Sequence, residues 1–250
     1  MTHFVGKNKI HLTETTSTNQ VATQLLGSGL AEGTVFTALY QSQGRGQQGS
    51  VWYSEYGKNV LFSVILYPTF LNLEEQFYLT MAMALALKET IKYFIPMSEI
   101  KIKWPNDILV QGKKMAGMLI ENQIQGKQWQ SSVVGIGINV NQEIFDPQIE
   151  YKATSCIIET RRKTELEDWY RVLCTQIEHY YLILMHSEYD SVKISYVQSL
   201  ANYHEKKDYQ VGGKIVQGII LGVDKQGKLA VQHENEVKYY QVKEIEWVFT

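Results

Sequence analysis

The order of apolar and polar positions predicts strands and helices in alternation over much of the chain. Residues 9 to 15 and 33 to 41 read as strands, and Ser17 and Thr18 stand where a helix over residues 19 to 26 would begin. The run NVLFSVILYP, which ends at Pro68, is almost continuously apolar, as is typical of a strand buried on both faces. Residues 73 to 94 carry apolar side chains at helical spacing on most faces, so we predict a buried helix there.

The second half of the chain adds strands and helices and then changes to a pattern of short strands separated by turns. IKIKWPNDILV predicts a strand, a turn at Pro105 and a second strand, and KKMAGMLIENQI is predicted to pair with QWQSSVVGIGINVN across QGKQ. Residues 165 to 186 and 189 to 202 have helical patterns. From residue 207 onward, short strands are separated by VGGK, VDKQGK and HENE, which indicates a small antiparallel barrel. We therefore predict an α+β fold with a first domain over residues 1–203 and a β domain over residues 204–250.

Composition and charge narrow the class of protein. The 250 residues are 44% hydrophobic and 20% charged, which is ordinary for a soluble globular protein. The formal net charge of -2 excludes a general basic surface for nucleic acid, and no stretch approaches the ~20 apolar residues of a membrane span. No signal peptide is recognisable, and Cys156 and Cys174 are too few for a disulfide framework or a zinc site. We therefore predict a cytoplasmic protein that binds neither DNA nor a membrane.

Four short polar segments carry the candidate chemistry. TTSTN places hydroxyls and an amide where a strand meets a helix, and QSQGRGQQG offers flexible backbone N–H groups with one guanidinium, that of Arg45. KWPNDILVQGKKMAG puts Asn106 and Asp107 in a turn and Lys114 on the following strand. GIGINVN places closely spaced glycines beside Asn139.

Each segment alone also has a purely structural interpretation. Ser17 or Thr18 can cap a helix, a glycine loop can simply turn the chain, and an Asn-Asp pair after proline is ordinary turn chemistry. Lys114 alone is most simply a solvated lysine. Gly135 and Gly137 fit a β-bulge or a close strand crossing.

Together the four segments favour a different interpretation. Backbone N–H groups with Arg45 can bind a phosphate or a developing oxyanion, and Lys114 can neutralise charge in a transition state. Asp107 can hold a divalent metal ion against a nucleotide. This set suits activation of a carboxylate by a nucleoside triphosphate. The loop lacks the G-x-x-x-x-G-K-[ST] pattern, and it is no dinucleotide fingerprint because it precedes a strand rather than opening a helix.

Several stretches resemble those of one known family. STN, GRGQQGSVW, KWPNDILVQGKKMAG, GIGINVN and the terminal GVDKQGKLAV occur in the order found in biotin protein ligases, and the match covers nearly the whole chain. The KWPND…K-x-A-G element is highly specific. The resemblance implies a catalytic α+β domain related to class II aminoacyl-tRNA synthetases, followed by a small SH3-like β-barrel.

The resemblance also implies roles for individual residues. Lys114 and Arg45 would be catalytic, with Lys114 contacting the biotin carboxylate and the α-phosphate of ATP, and Asp107 would act near the metal and the phosphates. The residues implied to contact biotin are Ser17, Thr18, Asn19, Gln41, Gly44, Arg45, Gly46, Gln47, Lys114 and Gly117. The residues implied to contact the nucleotide are Arg45, Trp52, Lys103, Asn106 and Asn139.

The reaction implied by the resemblance has two steps and uses ATP, biotin and Mg²⁺. The biotin carboxylate attacks the α-phosphate to give biotinyl-5′-AMP, and a lysine of a biotin carboxyl carrier domain then takes the biotinyl group. The expected partner is therefore the carrier domain of a biotin-dependent carboxylase. A homodimer is compatible with the resemblance.

Two departures from the family pattern matter. Many bacterial members carry an N-terminal DNA-binding winged helix, whereas the pocket motif here begins at residue 15, so we expect a ligase without that module. The common loop pattern is G-R-G-R-R-G, and Gln47 and Gln48 stand in place of two arginines, which bears on how tightly the adenylate is held. Two alternatives stay open, namely a lipoyl- or octanoyl-type enzyme on the same fold and a catalytically silent biotin-binding module.

Overall fold

The computed structural model of the protein describes residues 2–234 and 236–248, apart from the side chains of Gln48 and Glu150. The strands and helices of the first part are β1 (Lys9–Thr15), α1 (Thr18–Leu25), β2 (Val35–Gln41), β3 (Val60–Leu66), α2 (Gln76–Phe94), β4 (Ile100–Lys103), β5 (Asp107–Val110), β6 (Lys113–Gln125), β7 (Gln128–Ile138), α3 (Cys156–Thr160), α4 (Leu166–Met185) and α5 (Tyr189–Gln198). The strands of the second part are β8 (Lys206–Val211), β9 (Lys214–Val223), β10 (Leu229–His233), β11 (Glu236–Tyr240) and β12 (Ile245–Trp247).

A seven-stranded sheet organises the first part, in the order β1-β2-β3-β7-β6-β5-β4. The pair β1–β2 is parallel, and every other neighbouring pair is antiparallel. All seven residues of β3 are buried, as its apolar run predicts. The reason is cover on both faces: Phe62 and Val64 join the core formed with α2 and α4, whereas Ile65 packs with Ala22 of α1.

The strand and helix predictions are confirmed with shifts at their ends. The helix predicted over residues 73 to 94 begins at Gln76, because Leu73–Glu75 form a separate 3₁₀ turn with a capping box at Asn72. The helix predicted over residues 189 to 202 ends at Gln198. β6 and β7 pair as the predicted antiparallel hairpin. The predicted turn HENE contains Asn235, which lies outside the described residues.

The second part is a five-stranded antiparallel sheet of the SH3-like kind, in the order β11-β10-β9-β8-β12. Its buried Tyr209 and Ile220 belong to the same apolar cluster as Trp104 and Ile108 of the first part. The Trp104 indole N–H also donates to the carbonyl of Gly227 at 2.9 Å. The two sheets therefore share one core, and the division into folding units between residues 203 and 204 stays a prediction. No helix in the described ranges is long and apolar enough to cross a membrane.

One buried carboxylate ties the N-terminal segment to α4. Glu178 accepts hydrogen bonds from the backbone N–H groups of His3 at 2.7 Å, Phe4 at 2.8 Å and Val5 at 3.0 Å. Burial raises the pKa of this carboxyl, but the backbone donors outweigh burial, so the pKa of Glu178 lies below its ordinary value. Because β1 follows at Lys9, this anchor also positions the edge of the large sheet.

Replacing Glu178 with glutamine should lower the free energy of unfolding by about 1.5 to 3 kcal/mol, since hydrogen bonds to a charged acceptor are lost. The lowered pKa means that the stabilising effect is fully present above the ordinary carboxyl pKa of about 4.3. It is then lost as the pH falls through the folded-state pKa. Urea unfolding across this pH range measures both effects. The exposed Glu167 provides the control, because Glu167→Gln removes only a surface ion pair with Lys9. Equal stability of Glu178→Gln and the native protein at neutral pH would show that the Glu178 carboxylate does not stabilise the N-terminal segment.

Candidate active site

A cavity of about 530 Å³ opens on the face of the large sheet that carries α1. Residues that the sequence predicted for the site and that line this cavity are Ser17, Thr18, Asn19, Gln41, Arg45, Gly46, Gln47, Trp52, Lys103, Asn106, Asp107, Lys114, Gly117 and Asn139. Gly44 does not line it, because this glycine packs beneath the loop, where a Cβ would collide with the backbone oxygen of Trp52. The fold thus gathers the four polar segments at one place.

The floor of the cavity is a stretch of sheet without side chains. Gly117 on β6 lies directly opposite Gly137 on β7, and Gly135 is the next position of β7 on the same face. The pairing of β7 with both neighbours is unbroken at these glycines, so the bulge interpretation is wrong. A Cβ at Gly135 would collide with the amide of Asn19, and one at Gly137 would collide with the indole of Trp52. The glycines therefore make room for side chains that arrive from α1 and from the loop.

Hydroxyl and amide groups form one end of the cavity. The Thr18 backbone N–H donates to Gln41 Oε1 at 2.7 Å, and the Thr18 hydroxyl lies 3.0 Å from the same oxygen. Because this oxygen faces Thr18, the Gln41 amide nitrogen points toward the glycine loop, 3.3 Å from where a Cβ on Gly44 would be. Ser17 occupies the N-cap position of α1 but makes no capping hydrogen bond, so the capping interpretation of its side chain is wrong. This end of the cavity thus presents the Thr18 hydroxyl oxygen as an acceptor beside the N–H donors of the Gln41 amide.

Behind Thr18 lies a serine that the sequence analysis missed. Ser63 on β3 is fully buried, and its hydroxyl lies 2.7 Å from Thr18 Oγ1 and 2.6 Å from Asn19 Oδ1. The Asn19 amide nitrogen donates to Glu121 Oε2 at 2.8 Å. The Asn19 side chain, expected to contact a ligand, is therefore engaged on both sides by protein groups. The sequence could have indicated Ser63 only as a single hydroxyl residue inside an apolar run.

A β-bulge sets the direction of Lys114. The pairing of β6 with β5 shifts by one residue between Lys114 and Ala116, so Met115 has no partner across the ladder. In a regular strand Lys114 and Gly117 would face opposite sides of the sheet, because they are three positions apart. With the bulge both face the cavity, and Lys114 Nζ lies 3.2 Å from where a Cβ on Gly117 would be. Met115 itself is buried in the core.

Lys114 is held between a carboxylate and an indole. Its Nζ lies 2.7 Å from Asp107 Oδ1 and 5.6 Å from the centre of the Trp52 ring. Asn106 lies in the predicted turn, whereas Asp107 is the first residue of β5. The indole N–H of Trp52 is buried without a hydrogen-bond partner among the described residues. Within those residues no group of three or more His, Cys, Asp or Glu side chains is placed to hold a metal ion.

Further lysines surround this end of the cavity. Lys103 Nζ lies 5.5 Å from the centre of the Trp247 ring. Burial lowers the pKa of Lys103, and two neighbouring lysines lower it further against the opposing effect of Asp107. Lining residues that the sequence did not indicate include Lys152, Lys243, Glu246 and Trp247. They come from segments far along the chain that only the packed fold brings together.

The glycine loop folds back on itself at the mouth of the cavity. Backbone hydrogen bonds close residues 44–52 into a small hairpin. Arg45 and Gln47 line the cavity, and no ion pair between described side chains includes Arg45. The side chain of Gln48 lies outside the described residues. The loop therefore turns the chain and also offers one guanidinium to the cavity.

Two asparagines expected to contact a nucleotide also hold the walls in place. Asn106 Nδ2 donates to the carbonyl of Met118, which fixes the turn after Pro105 against β6. Asn139 Nδ2 donates to the carbonyl of Thr154 at 3.1 Å. This second bond holds the segment that carries Lys152 next to the end of β7.

The chain is similar to known proteins in sequence and in structure. A family model described as the biotin/lipoate A/B protein ligase family matches residues 12–139. The bifunctional ligase/repressor BirA of Bacillus spizizenii is 30% identical over 247 residues, which cover 98% of this chain and 75% of that protein. The biotin--[acetyl-CoA-carboxylase] ligase of Paracoccus denitrificans is 28% identical over 225 residues, covering 88% of this chain and 92% of that protein. The biotin protein ligase from Aquifex aeolicus in complex with biotin and ATP superposes with a TM-score of 0.78 at 25% identity, covering 96% of this chain and 98% of that chain.

Gly137→Ala should disturb the cavity from its floor, because the added methyl group collides with the Trp52 indole. We expect a loss of about 1 to 3 kcal/mol of unfolding free energy from overpacking, with a changed tryptophan emission spectrum. Gly27→Ala is the matched control, since no heavy atom lies within 4 Å of a Cβ there. Denaturant unfolding followed by fluorescence measures both quantities. Identical curves and spectra for the two variants and the native protein would show that Trp52 does not rest on Gly137.

Proposed function

The chain belongs to the biotin/lipoate A/B protein ligase family, and we propose that it joins biotin to a lysine of a biotin carboxyl carrier domain at the expense of ATP. The observation that carries this proposal is a single cavity with a hydrogen-bonding end, a floor without side chains and a cationic end. These three parts correspond to the cyclic urea, the aliphatic chain and the carboxylate of biotin.

The hydrogen-bonding end supports biotin over other acids of similar length. Thr18 offers an acceptor and Gln41 offers N–H donors beside it, which complements the adjacent N–H and C=O groups of a cyclic urea. The aliphatic chain would cross the floor near Gly117 and Gly137, beside the Trp52 indole that packs on Gly137. The carboxylate would then meet Lys114.

In the proposed first step, a carboxylate oxygen of biotin attacks the α-phosphorus of ATP. The bond from this phosphorus to the β-phosphate oxygen breaks, and diphosphate leaves. Two anions must approach each other, so Lys114 and Arg45 would offset their repulsion at the reacting groups. Burial, with smaller contributions from two neighbouring lysines, lowers the pKa of Lys103, and a nearby anion would favour the charged form of this lysine.

Magnesium would enter as part of the nucleotide substrate. Mg²⁺ in nucleotide sites is commonly held by one or two carboxylates together with the phosphates. Asp107 is the carboxylate that pairs with Lys114, and it would lie beside the α-phosphate if Lys114 contacts that group. The donor set fits an ion delivered by ATP better than an ion held by the protein alone.

In the proposed second step, the neutral amine of the acceptor lysine attacks the carbonyl carbon of biotinyl-5′-AMP. The amide forms, AMP leaves, and the nitrogen releases a proton. The mixed anhydride would otherwise react with water, so exclusion of water is part of the chemistry. The hairpin over residues 44–52 lies at the mouth of the cavity and would serve as its cover.

The proposed partner is the carrier domain of a biotin-dependent carboxylase. A cytoplasmic location, the absence of DNA binding and the homodimer stay predictions.

A lipoyl- or octanoyl-type acid is the alternative substrate, and a catalytically silent biotin-binding module is the alternative without chemistry. The purified protein is incubated with Mg·ATP and either biotin or lipoate, and the products are analysed by mass spectrometry. Biotinyl-AMP with diphosphate is the expected result. Lipoyl-AMP would establish the other substrate, and the absence of any acyl-AMP despite biotin binding would establish the silent module.

Lys114→Ala should lower the rate of adenylate formation by about 10²-fold or more, because one charge contact to the transition state is removed. The fold should persist, since the lost ion pair with Asp107 is partly exposed. Lys113→Ala changes the neighbouring, exposed lysine and is the matched control. The rate of diphosphate release is measured for all three proteins. An unchanged rate in Lys114→Ala would remove this lysine from the catalytic role.

Gln47→Arg should slow the dissociation of biotinyl-AMP by about 10-fold, because a charge-assisted donor would replace a neutral one. Lys58 is paired with Glu55 outside the cavity and does not compete for this place. Labelling of bystander proteins by escaped adenylate should fall in parallel. A chase with radiolabelled adenylate measures the off-rate, and equal off-rates would show that the lining lysines already supply the contact.

A further inference from the structure

We propose that Glu121, which does not line the cavity, fixes the direction of a buried chain of hydrogen bonds. As a result, the hydrogen-bonding end of the cavity requires an N–H donor from its ligand. The inference rests on the proposed function, because it assigns the specificity for the urea ring of biotin. Glu121 would be a positioning residue that acts through Asn19, Ser63 and Thr18.

The chain runs from β6 to the cavity without interruption. Asn19 Nδ2 lies 2.8 Å from Glu121 Oε2 and 3.4 Å from the carbonyl oxygen of Leu119. Asn19 Oδ1 lies 2.6 Å from Ser63 Oγ, which in turn lies 2.7 Å from Thr18 Oγ1. The last link joins Thr18 Oγ1 to an acceptor, Gln41 Oε1, at 3.0 Å.

The number of protons in this chain is smaller than the number of contacts. Asn19 Oδ1 and Gln41 Oε1 can only accept, so the three contacts between them depend on the hydroxyl protons of Ser63 and Thr18. Each hydroxyl has one proton, and therefore one of the three contacts lacks a donor. Each of the two protons has two acceptors within the protein, so we expect both to be used there. Thr18 Oγ1 then meets a ligand as an acceptor.

Glu121 is the group that keeps one of these three contacts without a hydrogen-bond donor. An ionised carboxylate only accepts hydrogen bonds, and so does the Leu119 carbonyl, so the Asn19 nitrogen must face them. If the Asn19 amide turned over, its nitrogen would donate to Ser63, Ser63 to Thr18, and Thr18 to Gln41. All three contacts would then be satisfied without a ligand. The carboxylate of Glu121 prevents that rotation.

The unsatisfied acceptor selects among ligands. A cyclic urea brings an N–H group that fills the deficit at Thr18, whereas the dithiolane ring of a lipoyl-type acid brings none. A buried acceptor that meets no donor weakens binding, so the deficit penalises ligands without an N–H group. The specificity would thus originate on a strand residue that never contacts the substrate.

Glu121→Gln is the test, because glutamine keeps the size of the side chain and allows the Asn19 amide to turn over together with its partner. We expect the Kd for biotin to rise about 10-fold, while the KM for ATP stays within about two-fold of the native value. The thermal stability of the ligand-free protein should be unchanged or higher, since the internal contacts become satisfied. Glu99→Gln changes an exposed carboxylate immediately before β4 and is the control. Glu121→Asp keeps an acceptor-only group and should restore most of the affinity.

A ligand comparison separates positioning from a merely structural role. The Kd values for biotin and for an analogue with CH₂ in place of both ureido N–H groups are measured with the native protein and with Glu121→Gln. The ratio of the two Kd values should shrink about 10-fold in the variant, because only biotin profits from the deficit. An equal loss of affinity for both ligands, or an unchanged Kd for biotin, would overturn the proposal. Failure of the native protein to bind biotin would instead refute the proposed function and this inference with it.

Discussion

The two-residue alternation of a β-strand decides what the central sheet can do. Residues of β3 and β7 that face α2 and α4 are large and apolar, whereas their neighbours Ser63, Gly135 and Gly137 are small. One face is therefore a packed core, and at these small residues the other face leaves a floor on which Asn19 and Trp52 lie. The bulge at Met115 then breaks the alternation at one position, which brings a lysine to the floor side. Without that irregularity, the cationic end of the cavity would lack Lys114.

The electrostatic character of the site follows from burial and from the closeness of several lysines. Burial withdraws Lys103 from water and lowers its pKa, and the nearby Lys114 and Lys152 lower it further against the opposing effect of Asp107. Asp107 moderates this repulsion through its ion pair with Lys114 but leaves an excess of positive charge. This positive charge favours the approach of a carboxylate and a triphosphate.

Much of the fold was predictable because β-strands, buried helices and turns leave local signals, and the four polar segments together contain more than half of the residues that line the cavity. The remainder depends on contacts between distant segments. Ser63 and Glu121 contact site residues only because β3, β6 and α1 pack together, and no local sequence pattern predicts that packing. Trp247 and Lys243 reach the cavity because the second sheet packs on the first. The bulge was likewise hidden, because the spacing of Lys114 and Gly117 reads as an ordinary strand.

The junction of the two sheets is also the place where stability and chemistry meet. The turn that contains Pro105 is held from one side by Trp104, which donates to the Gly227 carbonyl, and from the other by Tyr196, whose hydroxyl donates to the Pro105 carbonyl at 2.8 Å. Asn106 and Asp107 follow within two residues, so any movement of the second sheet would be transmitted to the carboxylate that pairs with Lys114. Because Trp247 packs beside Lys103 at the same junction, the second sheet is a structural part of the cationic end rather than an appendage to it.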